Sequence, residues 1–265
     1  HTDSSAASDV YKRQIGCGHM AKALIKGLQK NSAFSISGHD RNESNLAWLE
    51  HESIPQKSLA DVCIESDIVV ICVKPKDMYE LCASMNKIID NETKIISVAA
   101  GVTLENLKTA LPGRKIFRAM PNIGAKDNLG ITSIFSSKED DEILEMFNFL
   151  GKAFVVDNEE KINLHTSLIG SGPAFYFEII NEFENRLDGL LPDNVSKRDV
   201  TLLFLTSLIS AIKDGENLDD LIGSIKSKGG TTEAGLNLLY SKNFIQIFSD
   251  AVDAAKNRAA DLSMD

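Results

Sequence analysis

The periodicity of the chain changes once, near Glu159, and that change limits the folds open to it. Before it, short apolar runs bounded by turn residues alternate with stretches of helical period, the pattern of βαβ units wound around a parallel sheet. Residues 34–39, 67–73, 94–99, 115–119, 130–135 and 153–157 read as strands, and 20–30, 43–52, 78–89, 104–111 and 140–150 as helices. The run from Ile68 to Val73 is apolar without interruption, as in a strand buried on both faces. Lys74-Pro75 ends it, because proline cannot donate to a ladder. Beyond Glu159 only helical period remains, over 174–190, 198–214, 218–225, 231–239 and 244–262. The expected architecture is an α/β domain over residues 15–158 and an all-helical domain over 159–265.

Length and composition agree with two domains: 265 residues, 43% hydrophobic and 25% charged, can bury cores without staples. A formal net charge of −10, with no run of Lys or Arg longer than two, lacks the footprint that nucleic acid or an anionic membrane surface requires. The longest apolar run is far short of the roughly 20 residues that span a bilayer. Cys17, Cys63, Cys72 and Cys82 show no C-x-x-C spacing, which points to a reducing, cytoplasmic setting and no disulfide framework. The five histidines are scattered without ligand spacing, so no metal site is expected.

The segment that would supply the first strand does not suit that place. Residues 1–14 begin with His1 rather than Met, are rich in Ser, Ala and Asp, and end in Tyr11-Lys12-Arg13-Gln14 without the apolar stretch of a signal peptide. They are expected to be non-native or disordered. A central strand of a doubly wound sheet is almost wholly apolar, and three consecutive polar residues, two of them charged, are costly to bury there. Either the original strand is missing from this sequence, or the chain enters from outside and the cofactor site is damaged.

Gly16-Cys17-Gly18-His19-Met20-Ala21 comes next and opens the first helix. In G-x-G-x-x-A between a strand and a helix, the glycines let the backbone approach a pyrophosphate at the helix N-terminus, although a turn without a ligand shows the same pattern. Asp40 and Arg41 follow about twenty positions later, where the ribose of a dinucleotide lies. Asp40 suits a free 2′-hydroxyl and Arg41 a 2′-phosphate, and both suit a solvated turn, so NADH and NADPH stay open.

Further candidates stand at element ends. Val73-Lys74-Pro75 and Ala99-Ala100-Gly101 fall at the carboxyl rim of the sheet, where small residues leave room for a nicotinamide ribose or simply pack tightly. Asn122, after Met120-Pro121, is placed to orient a ring or to cap a loop. Gly229-Gly230-Thr231-Thr232 precedes a helix whose free N–H groups form an anion site or an ordinary N-cap. Ser171-Gly172-Pro173 opens the first long helix of the second domain, with proline in a favoured first-turn position. The helix over 200–212, with Leu202, Leu203, Phe204, Leu205, Leu208 and Ile209, is too apolar all round for a solvated surface, which implies a homo-oligomer or else burial within one subunit.

Six segments, in order over residues 15–261, make the chain resemble the pyrroline-5-carboxylate reductase family. They are Gly18-His19-Met20-Ala21, Val73-Lys74-Pro75, Ser97-Val98-Ala99-Ala100-Gly101-Val102, Arg118-Ala119-Met120-Pro121-Asn122, Gly170-Ser171-Gly172-Pro173-Ala174 and Gly229-Gly230-Thr231-Thr232-Glu233-Ala234-Gly235-Leu236. The resemblance implies a Rossmann-type domain followed by a helical dimerisation domain, and reduction of 1-pyrroline-5-carboxylate to L-proline, the last step of proline biosynthesis. NADPH or NADH would be held by Gly16, Cys17, Gly18, His19, Met20, Asp40, Arg41, Val73, Lys74, Pro75, Ala99, Ala100, Gly101 and Asn122. The small imine substrate would meet Glu159, Thr166, Ser171, Gly230, Thr231 and Thr232. The backbone at Gly230 and Thr231 would bind its carboxylate, and Thr232 would hydrogen-bond the ring nitrogen, directly or through a water. A homodimer or larger homo-oligomer is implied as well. The chain departs from the family pattern at His19 for Asn, Ile123-Gly124 for Thr-Pro and Lys228 for Pro, and at Leu59 and Ser224, where an asparagine often contacts the cofactor. Two rival readings remain: a 3-hydroxyacid dehydrogenase, with Lys161 as its lysine base, and a non-catalytic paralogue that binds dinucleotide.

Overall fold

The computed structural model describes residues 10–213, 215 and 217–262, with backbone alone over 10–15. The chain forms two compact units, one holding the residues up to Gly170 with those from Ala255 onward, the other Ser171–Ala254.

The first unit is built on a seven-stranded sheet: β1 (Val10–Ile15), β2 (Phe34–His39), β3 (Ile68–Ile71), β4 (Lys94–Ser97), β5 (Lys115–Met120), β6 (Gly130–Ser136) and β7 (Gly151–Val155), ranked β2-β1-β3-β4-β5-β6-β7. Helices α1 (His19–Leu28), α2 (Glu43–His51), α3 (Leu59–Ile64), α4 (Pro75–Met85), α5 (Leu104–Ala110), α6 (Asp141–Phe149) and α7 (Glu160–His165) connect or follow the strands. In β3 all four residues are buried, and the period of two divides them between the faces. Ile68 and Val70 join a cluster with Leu24, Leu28, Leu49 and Phe147. Val69 and Ile71 join another with Met78, Cys82, Leu104 and Leu107. Helices therefore cover both faces, as an uninterrupted apolar strand demands.

The strands from β1 through β5 pair in parallel, but β5 and β6 are antiparallel, where the sequence suggested a wholly parallel sheet. The connection contains only a short 3₁₀ turn, Ile123–Asp127, and a parallel crossover needs about a dozen residues or more. β7 returns parallel to β6 after α6.

Strand β1 starts at Val10, five residues before the expected boundary at 15, and lies in the central place between β2 and β3. How Lys12, Arg13 and Gln14 place their side chains lies outside the described residues, as does the whole of 1–9. Helix α4 starts at Pro75 rather than 78, because Lys74 takes the extended N-cap and proline the first helical position. Helix α3, with Ser58 capping the Asp61 N–H, is too short to show its period in the sequence. The contact division falls at Gly170 rather than at 158 because α7 belongs to the sheet. Its Ile162 and His165 are buried, and the His165 ring meets Phe154 of β7 at 5.9 Å.

The second unit holds α8 (Gly172–Arg186), α9 (Lys197–Lys213), α10 (Leu218–Ile225), α11 (Thr231–Ser241) and most of α12 (Phe244–Asp261). A π-helical turn, Thr166–Ser171, precedes α8. Phe183 of α8 stacks on Phe204 of α9 at 4.7 Å, and Phe175 and Tyr176 meet Phe248 of α12.

Helix α1 is held by its own glycine. A Cβ at Gly27 would run into the Ala125 carbonyl oxygen and the Leu150 side chain. Glycine to alanine in an exposed helix stabilises by about 0.5–1 kcal/mol. Here Gly27→Ala is expected to destabilise by about 2 kcal/mol through overpacking, read as a lower urea midpoint at unchanged slope. A midpoint at or above wild type would show that α1 does not need this approach.

Candidate functional site

A cleft of about 400 Å³ opens at the carboxyl ends of β1, β2 and β3, lined by Gly16, Gly18, Asp40, Arg41, Leu59, Val73 and Lys74 among others. Its two glycines serve different ends. Gly16 sits at φ +85°, where an added Cβ would stand 3.0 Å from the carbonyl carbon and oxygen of Cys72. Gly18 has an ordinary φ of −70°, and a Cβ there would meet nothing within 4 Å. The first glycine is a steric requirement of the fold, while the second keeps the cleft open. Gly18 also caps α1 without a side chain. Among the described residues the N–H groups of His19, Met20 and Ala21 have no partner, since the first intrahelical bond runs from Lys22 to Gly18. A helix N-terminus of this form is suited to an anion.

Cys17 turns inward. Its side chain is fully buried, its thiol pushed up to about 12 chiefly by desolvation, and its N–H donates to Asp40 at 2.5 Å. It contributes to the turn rather than to the cleft. The Asp40 carboxylate also accepts from the Asn42 N–H at 2.7 Å and the Asn45 amide at 2.9 Å. Burial alone would raise its pKa, but these donors outweigh burial and hold the carboxyl below its ordinary value. Arg41 reaches Asp77 at 3.0 Å and Glu80 at 3.5 Å, both on α4.

The remaining candidates of the first unit are dispersed. Val73 packs its Cγ1 against Gly16, and Lys74 and Pro75 begin α4. Ala99 is buried, and Ala100 beside it is half-buried. Gly101, at φ +77°, faces Leu262, whose carbonyl carbon would lie 2.8 Å from an added Cβ, so tight packing accounts for that glycine. The Asn122 amide oxygen accepts from the Ile131 N–H at 2.9 Å and ties the β5–β6 connection. Glu159 accepts from the Leu104 N–H and from Arg118, each at 2.7 Å, and the Thr166 hydroxyl donates to the Ile162 carbonyl. Both carry structural bonds. Lys161, the lysine of the dehydrogenase reading, is paired with Asp157 at 2.7 Å.

In the second unit, Gly230, Thr231 and Thr232 form the start of α11. The Gly230 N–H donates to the Ser227 carbonyl at 3.0 Å, so it is not the free donor that the sequence suggested. Glu233 accepts from Gly229 at 2.7 Å, a bond that lowers its pKa with help from Lys226. The N–H groups of Thr231, Thr232 and Glu233 have no partner among the described residues, nor have the hydroxyls of Thr231 and Thr232. Ser171 caps α8 without a side-chain bond.

Sequence reasoning passed over Asn42, Asn45, Asp77 and Glu80, which determine what Asp40 and Arg41 can do. The signal was present for the last two: Asp77 and Glu80 stand three apart on the helix after β3, on one face.

Residues 159–262 match the family model of pyrroline-5-carboxylate reductase dimerisation, and residues 14–101 that of NADP oxidoreductase, coenzyme F420-dependent. The chain is 30% identical over 268 residues to a pyrroline-5-carboxylate reductase of Staphylococcus haemolyticus, covering 94% of this chain and 96% of that one. It is 29% identical over 262 residues to one of Haemophilus influenzae, with the same coverage. The solved structure of a pyrroline-5-carboxylate reductase from Coxiella burnetii superposes with a TM-score of 0.79 at 27% identity, covering 96% of this chain and 99% of that one.

The two glycines should separate on substitution. Gly16→Ala is expected to lose about 2 kcal/mol or more from left-handed strain and overlap, and Gly18→Ala to stay within about 0.5 kcal/mol of wild type, both measured by urea unfolding. Equal losses would show that Gly18 is a packing residue. Asp40 gives a pH signature. Its carboxyl titrates below the ordinary value of about 3.9, so its contribution is full above that value and is lost as the pH falls through the folded one. Asp40→Asn should therefore be less stable than wild type at pH 7 and converge with it in strong acid. A constant deficit at every pH would assign the effect to geometry rather than charge.

Proposed function

The chain belongs to the pyrroline-5-carboxylate reductase family, and from that premise we propose that it reduces 1-pyrroline-5-carboxylate to L-proline with a nicotinamide dinucleotide as hydride donor. The observation that carries the reading is the open face of Gly18, beside three unpaired N–H groups at the start of α1. Small backbone, anion-binding N–H groups and a carboxylate at the end of β2 suit a dinucleotide. In this reading Gly18, His19 and Met20 hold the pyrophosphate, and Asp40 and Arg41 face the ribose. When bound, the dinucleotide supplies hydride to the imine carbon.

The chain's own part is binding and orientation. The N–H groups of Thr231, Thr232 and Glu233 bind the substrate carboxylate at the positive end of α11. Solvent supplies the proton that makes the ring nitrogen an iminium, and the Thr232 hydroxyl hydrogen-bonds that nitrogen, directly or through a water. A threonine hydroxyl is a poor acid at neutral pH, so its contribution is positional. Ser171, with an unengaged hydroxyl, is a further substrate contact.

The protein acts as a homodimer or a larger assembly of one chain. Support comes from the dimerisation family model over 159–262 and from α9, which exposes Leu202, Leu203, Phe204, Leu208, Ile209 and Ile212. A cytoplasmic setting fits four free cysteines, three of them buried and one half-buried. The formal charge of −10 disfavours nucleic acid. Among the described residues no helix is long and apolar enough to cross a membrane.

The test is loss of reduced-nicotinamide absorbance with pyrroline-5-carboxylate, together with dinucleotide affinity by calorimetry. Thr232→Ala should lower kcat by about 10- to 100-fold, the range of one lost transition-state hydrogen bond, with dinucleotide affinity unchanged and activity restored in Thr232→Ser. Wild-type protein that binds dinucleotide and turns nothing over would favour the non-catalytic paralogue.

A further inference from the structure

Beside the glycine turn, at the end of β2, the chain presents an acceptor where a ribose would lie. The Asp40 carboxylate has about four lone-pair positions. The Cys17 and Asn42 N–H groups and the Asn45 amide, with the Arg41 backbone as the weakest of four donors, hold the group ionised, and a carboxylate oxygen can share a lone pair with a further hydroxyl. Asp40 is only half-buried, so the rest of its acceptor capacity faces the cleft that it lines. A ribose 2′-hydroxyl can donate to it. A 2′-phosphate carries a charge of about −1.5 to −2 at neutral pH, as phosphate monoesters do, and offers the carboxylate no donor in that form.

Arg41 is the residue that could reverse this outcome, since a guanidinium fork matches phosphate. It lies between Asp77 at 3.0 Å and Glu80 at 3.5 Å, which line the same cleft. Asp40, Asp77 and Glu80 thus stand around the one guanidinium. Both carboxylates come from α4, whose start is set by Pro75, so the arrangement is built into the fold. Lys74 and Lys76 also line the cleft, are exposed and hold no ion pair among the described residues. Lys76 is therefore the competing phosphate ligand that a test must address.

We propose, on the reading that this cleft takes a dinucleotide, that Asp40 together with the Asp77 and Glu80 clamp on Arg41 selects the free 2′-hydroxyl of NADH over the 2′-phosphate of NADPH. Asp40 supplies the acceptor, and the clamp withholds the cation that NADPH needs. The experiment is calorimetric titration of the whole protein with NADH and with NADPH, for wild type, Asp40→Asn, Asp77→Asn with Glu80→Gln, the triple combination, and Lys76→Gln. Asn at position 40 keeps an oxygen for the Cys17 N–H, and circular dichroism melts establish that each variant is folded.

Wild type is expected to bind NADH at least tenfold more tightly. Asp40→Asn should narrow that ratio by weakening NADH, the clamp variant should narrow it by strengthening NADPH, and the triple variant should favour NADPH. Lys76→Gln should leave the ratio within twofold. Wild-type affinity for NADPH equal to or above that for NADH overturns the proposal. So does a preference that neither Asp40→Asn nor the clamp variant moves, or one that Lys76→Gln widens more than twofold, which would make Lys76 rather than the clamped Arg41 the phosphate ligand. Failure to bind either dinucleotide sinks the dinucleotide reading and this proposal with it, which distinguishes that case from a wrong preference.

Discussion

The Asp40 carboxylate is the point at which the ends of two strands are fixed to each other. The turn after β1 donates two backbone N–H bonds across to the end of β2, from Gly16 to the His39 carbonyl at 2.8 Å and from Cys17 to Asp40. The first is backbone to backbone and independent of side chain. The second depends on a side-chain acceptor at that position, where an unpaired buried N–H would cost about 1–3 kcal/mol. Asn42 and Asn45 orient that acceptor, and Gly16 lets the same turn press on Cys72 at the end of β3. Three strand ends, one helix N-terminus and the cleft between them follow from these few contacts.

What was legible in the sequence follows from this economy. Strands with one signal each, such as 34–39, and the helix over 218–225 were readable to the residue, because apolar period and turn residues agree there. The glycine turn was readable because only glycine allows φ +85° in contact with a carbonyl. The roles of Asp40 and Arg41 were not, since a carboxylate and a guanidinium at the end of β2 mean different things according to their partners. Those partners, Asn42 and Asn45 on one side and Asp77 and Glu80 on the other, are assembled by the fold. The antiparallel turn into β6 was hidden for a simpler reason. Period distinguishes strand from helix but carries no direction, and only the length of the connection settles it.

Arg118 shows that a residue of a family motif can serve the framework of the sheet. It lies in the middle of β5, is 2% exposed, and has one ionic partner, Glu159, at 2.7 Å. Among the described residues its Nε and Nη2 have no hydrogen-bond partner. A buried cation of this kind requires its counter-ion, because removing either member leaves an uncompensated charge in the sheet. Glu159 meets that need and also accepts from the Leu104 N–H at the start of α5, so the carboxylate joins β5, α5 and the approach to α7. Such a group is poorly placed to exchange partners with a substrate. The segment Arg118-Ala119-Met120-Pro121-Asn122 therefore marks the family through the framework of the sheet at least as much as through ligand contacts.

The second unit depends on a different balance. Its buried residues include Gly172, Leu187, Thr201 and Val252, while α10 and α11 bury none and α9 only Thr201. Ordering a residue costs about 1–2 kcal/mol of backbone entropy, and apolar burial is the main term that offsets it. Helices that display Leu203, Ile209, Leu218, Ile225, Leu238 and Ile245 to solvent do not reach that offset within one chain. The match to a dimerisation family model over 159–262 points to another copy of the chain as the source of that surface. A second copy supplies the same faces by symmetry, so each residue that gains cover also gives it. The dimerisation family model matched over 159–262 spans the whole of this sparsely buried unit.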